Sequence, residues 1–193
     1  EGAELGAIEA SLESPELKKA TALLAEGSAR DAQAIAEKYL VAFPDDLLAT
    51  MIVAEASLAL WELDRAEQLA RSILDRAPTF LRASMLLATC LIKQVRARDA
   101  LAVLDEVISR KPTNRPALIL LAESRAGVGD IDQAAAIYEK LLTLDPRCVD
   151  WWMYLGQHYR ALGRRDEAIG AYRQGLDIGP NSGSAWWSLG NYF

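Results

Sequence analysis

The chain has 193 residues, 51% of them hydrophobic and 25% charged, with a formal charge of −6 and a pI near 4.9. That acidity excludes a basic nucleic-acid surface, and no apolar run approaches the roughly 20 residues that cross a bilayer. The balance suits a folded soluble body. Two isolated cysteines, Cys90 and Cys148, suit reduced thiols in a cytoplasmic chain better than a disulfide framework.

The charge is uneven. Residues 1–50 hold ten acidic and four basic side chains, whereas residues 51–193 hold seventeen of each. A solvated acidic face accounts for this, with a basic partner as the alternative. No signal peptide is visible. The chain starts at Glu1 without methionine and stops at Phe193 within a helical pattern, which reads as a fragment of something longer, its leader removed or left out.

Residues 1–12 (EGAELGAIEASL) are an N-terminal extension or a short capping helix with Leu5, Ile8 and Leu12 on one side. A 34-residue period then sets in, marked by Pro44, Pro78, Pro112, Pro146 and Pro180. The first unit, 13–46, is expected to begin a helix at Pro15 with Ser14 as its cap. Its Lys19 stands where later units have Val or Leu, as an outermost helix requires. In the second unit, 47–80, Trp61 replaces the turn glycine and Ala70 the aromatic residue of later units. The third unit, 81–114, places Cys90 where its neighbours have Ala56 and Ser124. The fourth, 115–148, turns Arg125 toward an inward position, so a carboxylate partner is needed, with Asp130 or Asp132 as candidates. The fifth, 149–182, puts Trp152, Leu155, Gly156 and Tyr159 on one helical stripe and Ala168, Tyr172 and Leu176 on another. A sixth first helix starts at 183–193, where Trp186, Leu189 and Phe193 want cover that could also come from a second copy in a dimer.

Small residues recur where two helix backbones must pass closely: Ala20, Ala54, Ala88, Ala122, Gly156 and Gly190 in the first helices, and Ala32, Ala66, Ala100, Ala134 and Ala168 in the second. Large residues recur beside them at Val53, Leu87, Leu121, Leu155 and Leu189, and at Leu104, Tyr138 and Tyr172. Gly27, Gly129 and Gly163 sit at one place in the inter-helix turn. This helix–turn–helix pattern resembles the tetratricopeptide repeat (TPR) family over residues 13–193, holding one register without an insertion. The resemblance implies an all-α fold, a right-handed α-solenoid of stacked helical hairpins.

No catalytic constellation accompanies it. There is no CxxC, HExxH or glycine-rich phosphate loop. The one histidine, His158, is read as structural, and the acidic residues of GDIDQ and GRRDE serve helix N-termini. No metal and no cofactor are expected.

What the resemblance implies instead is a peptide-binding groove on the concave side, lined by first helices. Its apolar floor would be Met51/Ile52, Met85/Leu86, Ile119/Leu120, Met153/Tyr154 and Trp187, with Glu55, Thr89, Glu123, Gln157 and Asn191 one turn on. The Lys/Asn/Arg carboxylate clamp of chaperone-binding TPR proteins is missing from the paired positions of units two to four, and only Lys18 and Arg82 lie nearby. An apolar or amphipathic segment is therefore the expected partner, and a protein-interaction scaffold the expected role.

The closing stretch Ala185–Asn191 (AWWSLGN) is also similar to the end of the TPR region that precedes a sulfotransferase domain in bacterial proteins, with Gly190 where alanine is usual. That resemblance implies a recognition arm for an enzyme using PAPS, with the active site beyond residue 193. An assembly factor in secretion or the envelope is the remaining alternative.

Overall fold

The computed structural model describes residues 14–181 and 183–190. The extension expected at 1–12, and Asn191 and Phe193, lie outside the described residues. The elements are α1 Pro15–Ala25, α2 Ala29–Ala42, α3 Leu47–Ala59, α4 Leu63–Arg76, α5 Leu81–Lys93, α6 Ala97–Arg110, α7 Arg115–Gly127, α8 Ile131–Leu144, α9 Val149–Ala161, α10 Arg165–Ile178 and α11 Gly183–Gly190. No strand occurs among the described residues. Helix starts fall at 47, 81, 115 and 149, and at 29, 63, 97, 131 and 165, so both series step by 34. The fold is all-α and built of consecutive hairpins, as in an α-solenoid. The chain divides into two compact units, Glu1–Val103 and Leu104–Phe193, with the division inside α6.

In the first unit, helix starts are set by local hydrogen bonds. The Ser14 hydroxyl accepts from the Leu17 N–H at 3.4 Å, and the Asp46 carboxylate accepts from the Ala49 N–H at 2.7 Å. Each satisfies a backbone donor that the first helical turn leaves without a partner. The core joins Leu17 and Ala20 of α1, Ala32 and Ala36 of α2, and Leu48, Ala49, Ile52 and Val53 of α3. Ala20, Ala32, Ala54 and Ala66 are fully buried, so methyl-sized side chains do stand at the close approaches. Lys19 is exposed, as an outer helix requires.

The second unit has the same logic with larger side chains. Leu118, Ala122, Ala135, Tyr138, Leu141, Leu142, Trp151, Leu155 and Ala171 form one cluster, and Met153, Ala168, Tyr172 and Leu176 another. Gly156 marks a tight approach: a Cβ there would stand 2.4 Å from Cε1 of the buried Tyr172. Arg125 is partly buried and lies 3.6 Å from Asp130 and 3.5 Å from Asp105. Asp130 is one of the two expected partners. Asp132 instead lies in the first turn of α8, and Asp105, a full helix away, completes the pairing.

The turns inside the hairpins are one motif repeated. The N–H of residue 28, 62, 96, 130 or 164 donates to the carbonyl five residues back, at 2.8–2.9 Å. The N–H just before it donates to the carbonyl three back, as in Gly27 to Leu24 and Val95 to Ile92. This Schellman closure requires a left-handed residue between. Gly27, Gly129 and Gly163 supply it at φ +84, +90 and +72. Trp61 and Val95 take the same conformation at φ 63 and 62, without glycine's freedom.

Candidate functional site

The exposed part of the first-helix face is narrower than the sequence suggests. In the first unit Met51 and Ile52 are 1% and 0% exposed, and Ile52 belongs to the core shared by α1, α2 and α3. Leu86 is also buried, and in the second unit Met153 packs with Ala168, Tyr172 and Leu176. These four are a correction to the expected groove floor. They are consumed by packing between helices, although they share the register positions of the half-open Met85, Ile119 and Leu120 and of exposed Tyr154. Met85 remains half-buried. Thr89 spends its hydroxyl on the Met85 carbonyl at 2.8 Å. Glu55 accepts two bonds from one Arg82 nitrogen, at 2.8 and 2.9 Å, so its charge is matched.

The second unit is more open. Ile119 and Leu120 on α7 are half-buried, while Glu123 on α7, Tyr154 and Gln157 on α9, and Trp187 on α11 are exposed. Leu120 and Tyr154 occupy the same helical position one period apart. Tyr154 is 45% exposed, yet its ring is held: it stacks on buried Tyr138 of α8, centroids 5.3 Å apart. His158, one turn further along α9, stacks on the same ring at 5.4 Å. A rigid aromatic face thus stands beside exposed Glu123 and Gln157. By sequence Tyr138 and His158 are packing residues; the i,i+4 spacing links His158 to Tyr154 along α9, and nothing links Tyr138 on α8 to either.

The titrations follow from burial. Desolvation raises the Tyr138 hydroxyl pKa, helped by the charges of Tyr154 and Glu123. Desolvation also lowers the His158 pKa below its usual 6.5, so the imidazole is held neutral. Burial pushes the Cys90 thiol up to about 11, the opposite of an activated nucleophile. In the first unit burial works against ionisation of Glu67, but hydrogen bonds from Arg71 and Gln94 and the charge of Arg96 outweigh it and lower its pKa. Those pairs are structural. Among the described residues no group of three or more His, Cys, Asp or Glu side chains could hold a metal ion, and no helix is long and apolar enough to cross a membrane.

The C-terminal tryptophans divide. The Trp186 indole donates to the Pro180 carbonyl at 2.8 Å, as Trp152 donates to Pro146 at 2.9 Å. The first tryptophan of AWWSLGN thus repeats a contact made one period earlier. Trp187, at 69% exposure, is the outward one.

Fold and surface together define a class of architecture, the helical-hairpin repeat, built of consecutive antiparallel helix pairs. A tetratricopeptide repeat model matches residues 17–79 and 119–183, and a second of the same description matches 58–123. The chain belongs to the tetratricopeptide repeat family. Solved structures share its fold. MamA (41-end) from Desulfovibrio magneticus RS-1 is 19% identical at a TM-score of 0.79, covering 88% of this chain and 98% of that one. YrrB, described as a TPR protein with an unusual peptide-binding site, is 20% identical at a TM-score of 0.74, covering 96% and 97%. A thermophilic TPR protein of Thermus thermophilus is 23% identical at 0.70, covering 92% and 96%. No curated protein matches the chain.

Proposed function

We propose that the chain is a protein-interaction scaffold that binds an apolar or amphipathic segment of a partner on the first-helix face of its second unit. The observation that carries this is Tyr154: a large ring, 45% exposed and stacked on buried Tyr138. Rigid aromatic anchors lose little entropy on binding and dominate interface energetics. Leu120 and Ile119 add apolar surface, and Glu123 and Gln157 supply polar groups that set orientation. Fully burying an exposed side chain of this size is worth about 1.5–3 kcal/mol, so three or four half-open ones supply roughly 2–6 kcal/mol, a substantial part of the roughly 8 kcal/mol of a micromolar complex before ordering costs. The fold shared with YrrB, a TPR protein with an unusual peptide-binding site, supports the same class of ligand.

The test uses peptides selected from a displayed library against the full chain, measured by fluorescence anisotropy. Leu120→Asp and Tyr154→Asp are expected to weaken binding at least about tenfold, or 1.4 kcal/mol, each, with an unchanged melting temperature. Binding unaffected by both substitutions refutes the assignment. The reading as an arm of a sulfotransferase draws no support from the geometry, because Trp186 makes a contact that the repeat itself explains.

A further inference from the structure

In the first unit an ion pair joins consecutive first helices. Arg82 of α5 sets one guanidinium nitrogen 2.8 and 2.9 Å from the two carboxylate oxygens of Glu55 on α3. Two periods on, the same two positions are Glu123 on α7 and Asp150 on α9. The acid is kept, and the base has become a second acid. The helices that carry them correspond: α7 and α9 begin at residues 115 and 149, as α3 and α5 begin at 47 and 81. Leu118 and Ala122 of α7 share one core cluster with Trp151 and Leu155 of α9. Two carboxylates at the positions of an ion pair repel, and a cation brought to them removes the repulsion.

The chain's own cations do not fill that role. Glu123 and Asp150 are both exposed, and neither forms an ion pair among the described residues. The arginines of α7 are engaged elsewhere. Arg115 lies 3.9 Å from Asp145 and over the Trp151 ring, and Arg125 lies 3.6 Å from Asp130 and 3.5 Å from Asp105. Tyr154 belongs to the same patch. Asp150 precedes it by one helical turn on the same face of α9. Glu123 is near enough to Tyr138, on which Tyr154 stacks, for its charge to act on the Tyr138 hydroxyl. An exposed aromatic ring with unmatched carboxylates beside it suits a guanidinium, whose plane stacks on the ring while its fork reaches the acids.

We propose that the partner segment carries an arginine at this point, stacked on Tyr154 and paired with Glu123 and Asp150. It brings from outside the charge that Arg82 provides within the first unit. This rests on the reading of the face given above and narrows its ligand to a basic amphipathic segment. The formal charge of −6 on the chain favours encounter with such a partner.

The probes are the library-selected peptides, each also made with citrulline in place of arginine, which keeps the shape and removes the charge. The selected peptides are expected to contain arginine, and citrulline to weaken their binding to the native chain at least about fivefold. On Glu123→Gln/Asp150→Asn the same replacement is expected to cost less than about twofold. Asp150→Arg, which rebuilds the ion pair of the first unit, is expected to weaken arginine peptides at least about fivefold and citrulline peptides less than about twofold. Selected peptides without arginine, or equal citrulline losses on the native and doubly substituted chains, overturn the proposal. Peptides that Leu120→Asp displaces but citrulline leaves unaffected overturn the arginine assignment alone. Peptides indifferent to Leu120→Asp and Tyr154→Asp overturn it together with the binding face.

Discussion

Val95 offers the sharpest test of how these turns are built. It holds φ 62 with its side chain 90% exposed, at the position where Gly27, Gly129 and Gly163 stand in other hairpins. A β-branched residue there crowds its Cβ against the following carbonyl and costs on the order of 1–3 kcal/mol. Replacing it by glycine removes that strain. The change also frees the unfolded chain, which costs about 0.4–1 kcal/mol. Little packing is lost at 90% exposure. The strain term wins, so Val95→Gly is expected to stabilise by about 1 kcal/mol, or about 2–4 °C in melting temperature for a chain of this length. Trp61→Gly removes the same kind of strain at φ 63, but it also removes the Lys93 ammonium from over the indole, 4.6 Å from the ring centroid. That exposed cation–π contact is worth about 0.5–1 kcal/mol, so Trp61→Gly is expected to be near neutral. The reverse change, Gly163→Val, adds a Cβ that meets no atom within 4 Å, so its strain is set only against the smaller unfolded-chain gain; it should destabilise by about 1 kcal/mol. Calorimetric melting of the three variants decides. A destabilising Val95→Gly, or a neutral Gly163→Val, refutes the reasoning.

Gly156→Ala sets a methyl gain in helix propensity of about 1 kcal/mol against overpacking of about 1–3 kcal/mol on the Tyr172 ring. A net loss of about 1 kcal/mol in urea unfolding is expected, reduced when Tyr172→Leu accompanies it; a stabilised single variant contradicts the close approach. Asp46→Ala removes the 2.7 Å cap on α3 and should cost about 1 kcal/mol by the same assay, whereas Cys148→Ala, at the equivalent position without a side-chain cap, should cost less. His158 titrates below 6.5 when folded, so the unfolded chain takes up its proton first. Its contribution is complete above pH 6.5 and is lost as pH falls through that value toward the folded pKa. As the one histidine, it should account for a fall in melting temperature between about pH 7.5 and 5.5 that His158→Phe abolishes; a fall that survives the substitution places its cause elsewhere.

The helices and their register were legible because each period carries redundant marks: a closing proline, a small residue at each close approach, and a turn residue at one place. Those marks act locally, through φ restrictions and backbone distance, and survive Trp61 and Val95 replacing glycine because the two Schellman hydrogen bonds still form. The exposed surface was less legible. Met51, Ile52, Leu86 and Met153 are apolar and lie on first helices, but a helix that packs on both its own partner and the neighbouring hairpin buries such residues on more than one side. Sequence spacing gives a stripe, and only packing decides which edge of it stays open. Arg125 illustrates the same limit: Asp130 lies nearby in sequence, whereas Asp105 comes from the preceding hairpin and no local pattern announces it.

The account's central claim is that partners bind on the exposed face bearing Leu120 and Tyr154. Its most direct test is site-specific photocrosslinking in source cells, with benzoylphenylalanine placed at Leu120, at Tyr154, or at exposed Ala136 on α8. The account predicts one shared partner captured from positions 120 and 154 and not from 136. Capture from 136 alone, or of the same proteins from all three positions, contradicts it.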